Sequence, residues 1–143
     1  MTTTTAPDLA GIHHVGLTVT DVDRSEEWCC RVIGWQRLFV EPHFGGEEGA
    51  GYAVVLGHPD KHFNIGLDHH RGNDGDTFDP ARTGLDHLCF TMPDAQTLDA
   101  WAAHLDALGV ANSGVYDMEG APVSLLTFDD PDGIQLELIL YRG

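Results

Sequence analysis

Residues 11–21 read GIHHVGLTVTD, and residues 84–94 read GLDHLCFTMPD. Set side by side without gaps, the two share Gly, His, Thr and Asp. Ile/Leu, Val/Leu, Leu/Phe and Val/Met fall together as apolar partners. The second begins 73 residues after the first, so His14 is matched by His87 about half a chain later. Each is followed by a helical pattern and then by several runs of strand character. A repeat of this period is one structural unit used twice. Each half reads β-α-β-β-β, and a single sheet with one apolar face cannot bury that face alone, so two halves must pair. The expected fold is α+β. Two tandem βαβββ modules, 11–68 and 84–141, form a cupped mixed sheet with helices on the outside, in one domain spanning 1–143. Residues 1–8 read as a disordered tail, and 69–83 (HHRGNDGDTFDPART) as a polar linker.

Local signals support this division. The first helix should start near Asp21 or Asp23, with Glu26 as a capping-box partner to Asp23. Trp28, Cys29, Val32 and Ile33 fall on one helical face, and Gly34 stops the helix. The second helix should start at Asp94, bury Leu98, Trp101, Leu105 and Leu108, and end at Gly109. Strands are expected near 12–20, 35–41, 51–57, 62–68, 85–92, 110–116, 123–129 and 134–141. Gly45-Gly46, His58-Pro59-Asp60 and Asp130-Pro131-Asp132-Gly133 are the turns between them.

Composition narrows the function. Seven Lys+Arg against 23 Asp+Glu give a net charge of −16, which repels phosphate backbones and anionic headgroups. Neither nucleic acid nor a membrane is an expected partner; a small-molecule substrate is. No apolar run reaches the length of a membrane span. The start, Met-Thr-Thr-Thr-Thr-Ala-Pro-Asp, has no secretory pattern. Three cysteines, two of them adjacent, form no disulfide framework. A cytoplasmic location is the expectation.

Strand alternation places the chemistry. Val15, Leu17 and Val19 share one face of the first strand, leaving His14, Gly16 and Thr18 on the other. In the matching strand Leu88, Phe90 and Met92 oppose His87, Cys89 and Thr91. In the last strand Ile134, Leu136, Leu138 and Leu140 oppose Gln135, Glu137, Ile139 and Tyr141. His14, His87 and Glu137 therefore lie on faces not claimed by helices, and the repeat makes the two imidazoles equivalent. Two His and one carboxylate with open positions suit one divalent ion (Zn, Ni, Co, Mn or Fe(II)) rather than structural zinc. His13, on the opposite strand face, is the internal control. Thr18, Cys89, Thr91 and Tyr52 are expected to line the cup.

The strings IHHVGLTVTDVDRS, GLDHLCFTMPD and DDPDGIQLELI resemble the vicinal oxygen chelate (glyoxalase/bleomycin resistance protein/dioxygenase) superfamily, over about residues 11–141. The resemblance implies paired βαβββ modules, a homodimer, and a metal held by His14, His87 and Glu137. It also implies a fourth ligand position, which falls on Gly66 when HFNIGL (62–67) is aligned with GIQLEL (133–138). Glycine supplies neither a donor nor a base there. Asp68 shares that strand face, offset by two residues or roughly 6–7 Å.

The leading functional expectation is a metal-dependent lyase or isomerase acting through a chelated enediolate of a small oxygenated substrate. Glu137, Asp68 and Tyr141 are the candidate catalytic groups. An Fe(II) extradiol-type dioxygenase is the alternative, because three ligands suffice there; His69 and His70 are then further acid–base candidates. A non-catalytic bleomycin-resistance-like binding protein is the third reading, consistent with the acidic charge. A fosfomycin-modifying role is disfavoured by the scarcity of cations.

Overall fold

The computed structural model describes residues 6–43 and 49–143. The Gly45-Gly46 turn, and the first five residues of the tail, lie outside the described residues. The element order is β1 (His14–Thr18), α1 (Val22–Val32), β2 (Gln36–Pro42), β3 (Gly51–Gly57), β4 (Asn64–His70), β5 (His87–Thr91), α2 (Ala95–Ala107), β6 (Tyr116–Asp117), β7 (Val123–Asp129) and β8 (Gln135–Tyr141). They form two four-stranded sheets, ordered β1-β4-β3-β2 and β5-β8-β7-β6. In each the first strand runs parallel to the last, and the remaining pairs are antiparallel. The α+β fold of two βαβββ modules is therefore as the repeat indicated.

Both helices start at an aspartate whose carboxylate caps the first turn: Asp21 accepts from the Arg24 N–H and Asp94 from the Thr97 N–H. Asp21 is thus the cap rather than Asp23. Glu26 instead takes the Arg37 guanidinium, with Nε 2.7 Å from Oε1. Gly34 and Gly109, at φ +80 and +68, follow the helices in the left-handed conformation that terminates them. β6 is much shorter than the strand expected over 110–116. Asn112 Oδ1 accepts from the Gly114 N–H at 2.9 Å, and Gly114 sits at φ +67. That local turn leaves only an isolated bridge from Asn112 to Phe128 before the two residues of β6.

The packing sets the direction of the sheets. Leu17, Val19, Trp35, Val54, Leu56, Ile65 and Leu67 form one buried cluster, which Ile134 of the second module joins. Leu98, Leu105, Leu126, Phe128, Leu136, Leu138 and Leu140 form the other, joined by Val32 of α1. Each helix covers the apolar face of its own sheet, and α1 also reaches the second one. Trp28 of α1 lies 6.2 Å from Phe128, ring centre to ring centre, and the His104 Nε2–H donates to the Val32 carbonyl at 2.9 Å. Val32, Leu105, Leu136 and Leu138 are fully buried, as their spacing suggested, whereas Trp28 and Trp101 are half-buried.

The Asp130–Gly133 turn clamps the modules together. The Asp132 carboxylate, 7% exposed, accepts from the Thr20 N–H at 3.0 Å, from the Thr20 hydroxyl, and from Arg24 Nη2 at 2.7 Å. Asp130 is buried and accepts from the Asp132 and Ile134 N–H groups. Burial nevertheless pushes its carboxyl up to about 6, against the pull of those two hydrogen bonds.

Two outcomes follow. Asp132→Ala removes the acceptor of the half-buried Thr20 amide and hydroxyl and of the half-exposed Arg24 guanidinium, and should cost about 1–2 kcal/mol; urea unfolding beside exposed Asp129→Ala checks it. Asp130 binds its proton more tightly folded than unfolded, so its contribution is present below about pH 4 and lost as pH rises through about 6. That loss is up to about 3 kcal/mol. Relative to Asp130→Asn, wild type should weaken over that window; parallel unfolding curves at all pH values would contradict this.

Candidate metal-binding site

The two modules use the same strand register. His14 faces Asn64 and Gly16 faces Gly66 across β1–β4; His87 faces Gln135 and Cys89 faces Glu137 across β5–β8. Gly66 is thus the structural counterpart of Glu137, as the alignment implied. Thr18, Cys89 and Thr91 share the faces of His14 and His87, and all five are exposed in the single chain. Helices cover the other side of each sheet.

In the second module the donors converge. His87 Nε2 lies 3.7 Å from Glu137 Oε2. The Asp86 carboxylate binds His87 Nδ1 at 2.7 Å, which turns Nε2 toward Glu137 and raises the imidazole pKa; the neighbouring Glu137 charge adds to the rise. Gln135 Nε2 donates to Glu137 Oε1 at 2.6 Å and fixes the carboxylate. An imidazole with one nitrogen on a carboxylate and the other turned to a donor neighbour is how metal-binding histidines are commonly oriented. Cys89 sits beside Glu137, and burial and that charge push its thiol up to about 11, so it remains protonated at neutral pH.

In the first module His14 Nδ1 is held by His13 Nδ1 at 2.8 Å, which again leaves Nε2 as the outward donor. His13 is therefore in contact with His14 rather than an independent control. His14, His87 and Glu137 do not all come within 4.8 Å of one another in the chain. Among the described residues one trio of His, Cys, Asp or Glu meets that limit: His43, Asp68 and His70.

Asp68 occupies the hollow left by two glycines. A Cβ built on Gly16 would lie 2.8 Å from Asp68 Oδ2, and one on Gly66 3.3 Å from it. The carboxylate thus leans back along β4 over the position the alignment left empty. Its other oxygen binds His43 Nε2 at 2.9 Å. Tyr141 follows Glu137 on the same face at the strand end, 68% exposed. Tyr52 and His69 are register partners, on the β3–β4 face opposite Asp68, and so do not line the His14 surface.

Sequence reasoning missed three groups. Asp86 and Gln135, which orient the donors, adjoin or alternate with them and were legible in principle. His43 was not, because only the fold brings the end of β2 onto β4.

A family model described as the Glyoxalase/Bleomycin resistance protein/Dioxygenase superfamily matches residues 11–138. No curated protein sequence matches. A glyoxylase/bleomycin resistance protein/dioxygenase domain from Frankia sp. EAN1pec superposes with TM-score 0.80 at 31% identity, covering 94% of this chain and all of that one. A glyoxalase family protein from Enterococcus faecalis gives 0.71 at 19% identity, over 91% of this chain and 97% of its own. TnmS3, an antibiotic-binding protein from Streptomyces sp. CB03234, gives 0.67 at 18%, over 95% and 99%. The two at lower identity share the fold alone. With the duplicated modules, the strand registers and the match across nearly its whole length, this chain belongs to the glyoxalase/bleomycin resistance protein/dioxygenase superfamily.

Proposed function

We propose that the protein is a divalent-metal-dependent enzyme of the lyase or isomerase kind, acting on a small oxygenated substrate. One ion is held by His14, His87 and Glu137, with His14 supplied by a second copy of the chain. The observation that carries this reading is the His87–Glu137 pair. Its donors lie 3.7 Å apart on an open sheet face, each fixed by a neighbour. Donors around an ion at about 2.0–2.2 Å stand about 3–4 Å apart. His14 is presented in the same way by the matching strand, yet does not reach the pair within one chain. A dimer that lays one copy's β1 face against the other's β5 face supplies it, and covers surfaces exposed in the monomer.

His14, His87 and Glu137 would hold the divalent ion, whose chemistry there would be to stabilise negative charge on substrate oxygens. Three protein donors leave positions for water and substrate. Among the proton-accepting candidates, Glu137 stands beside the His87 imidazole on the open face, Tyr141 follows it on the same strand face, and Asp68 is engaged by His43 on one oxygen. Glu137 is the best placed. Three free cysteines suit a reducing compartment, and hence the cytoplasm.

A second reading, an Fe(II) dioxygenase, is favoured by one feature. Gly66 adds no fourth donor, so the set is two imidazoles and one carboxylate. Oxygen uptake by Fe(II)-loaded protein in the presence of catechol-type substrates would select it; its absence with isomerase or lyase turnover would select the first.

His14→Ala, His87→Ala and Glu137→Gln should each bind one divalent ion fewer per chain than wild type, by elemental analysis after dialysis. His58→Ala, whose imidazole is engaged by Asp60 in the turn between β3 and β4, should not. Equal metal in wild type and all three variants would contradict the site. Sedimentation at micromolar concentration should give a species of twice 15.6 kDa; a monomer alone would contradict the shared site.

A further inference from the structure

We propose that a divalent cation also binds between His43, Asp68 and His70, separately from the His14, His87 and Glu137 set. The cluster is built by backbone register. Asp68 and His70 are two residues apart on β4 and share a face. Their partners on β3 are Ala53 and Gly51, so no large side chain stands beside them. The His43 N–H donates to the Gly51 carbonyl at 3.2 Å, which lays the imidazole over Gly51. A Cβ on Gly51 would lie 2.5 Å from His43 Nδ1 and would collide with the His69 carbonyl. The glycine is what admits the ring.

The donors then converge. His43 Nε2 is 2.9 Å from Asp68 Oδ1, the two imidazole centres are 4.4 Å apart, and one donor atom from each residue lies within 4.8 Å of the other two. Donors at about 2.0–2.2 Å from one ion stand about 3–4 Å apart, so small rotations complete the set. The His43 and Asp68 side chains are 18% and 23% exposed, partly shielded from water, while His70 is exposed and leaves an entry path. A hydrogen bond that merely tied β2 to β4 would use His43 and one carboxylate oxygen; His70 adds a third donor that such a tie does not need. Two imidazoles and one carboxylate suit Zn, Co, Ni or Fe(II) over Mg or Ca. The net charge of −16 concentrates cations near the surface.

The test is titration of chelator-stripped, full-length protein with Co(II) and, separately, Zn(II), following stoichiometry by calorimetry and Co(II) coordination by visible absorption. His70→Ala should lose one equivalent, or weaken its binding at least tenfold, and His43→Gln should do the same. His70 is exposed, so its variant should fold, and circular dichroism verifies both. His87→Ala and Glu137→Gln should leave this equivalent intact. Unchanged stoichiometry and affinity in both His70→Ala and His43→Gln would overturn the proposal, whatever the other site does. Loss only in the His87 and Glu137 variants would overturn it while sustaining the enzyme reading. Loss only in the His43 and His70 variants would sustain it while contradicting that reading.

Discussion

The apolar face of each four-stranded sheet has to be covered, and α1 covers part of both. Val32 sits in the second module's cluster although its helix belongs to the first, and Ile134 makes the reciprocal insertion. Apolar burial contributes about 25 cal/mol per Å², so sharing one helix between two sheets makes each module's stability depend on the other. Direction follows from that packing. The helix sides are buried, and the surfaces bearing His14, Gly16, Thr18, His87, Cys89 and Thr91 stay exposed in the single chain. Exposed, strand-borne donors on both modules are the condition for a site shared between copies.

The Asp130–Gly133 turn, part of the family-like string DDPDGIQLELI, is structural in its chemistry. Asp132 satisfies the Thr20 amide and hydroxyl and the Arg24 guanidinium at the entrance to α1, while Asp130 ties down its own turn. The turn fixes where β8 begins, and so where Glu137 falls relative to His87 on β5. Asp130 and Asp132, seven and five residues before Glu137, thus serve that candidate ligand by register rather than by contact.

How much of this could be read from residues alone depends on the range of the interaction. The helix cap at Asp94, the stops at Gly34 and Gly109, and the alternation that sets His14, His87 and Glu137 on helix-free faces are local, and all were legible; at the first helix the sequence left Asp21 and Asp23 open, and the capping box belonged to neither. The gapless match of 11–21 with 84–94 made the topology legible as well. β6 was not, because the Asn112–Gly114 turn competes with a strand whose composition is otherwise suitable. Nor was His43: it reaches Asp68 only through pairings of β2 with β3 and β3 with β4. Gly66 was read as a vacancy, and the structure fills its space with the carboxylate of Asp68. Distances along a strand were a sound guide to Cα positions and a poor one to where a flexible carboxylate ends.

The proposed metal site is divided between two copies, His14 on one and His87 with Glu137 on the other. Mixing tests it directly. His14→Ala protein and a His87→Ala/Glu137→Gln double variant, each lacking that site, are unfolded together and refolded at equal concentration. If the site is shared, mixed dimers regain one complete site each, so about a quarter of the wild-type occupancy at that site should return. If all three donors come from one chain, no mixed dimer carries a complete set, and occupancy would stay at the level of the separate variants.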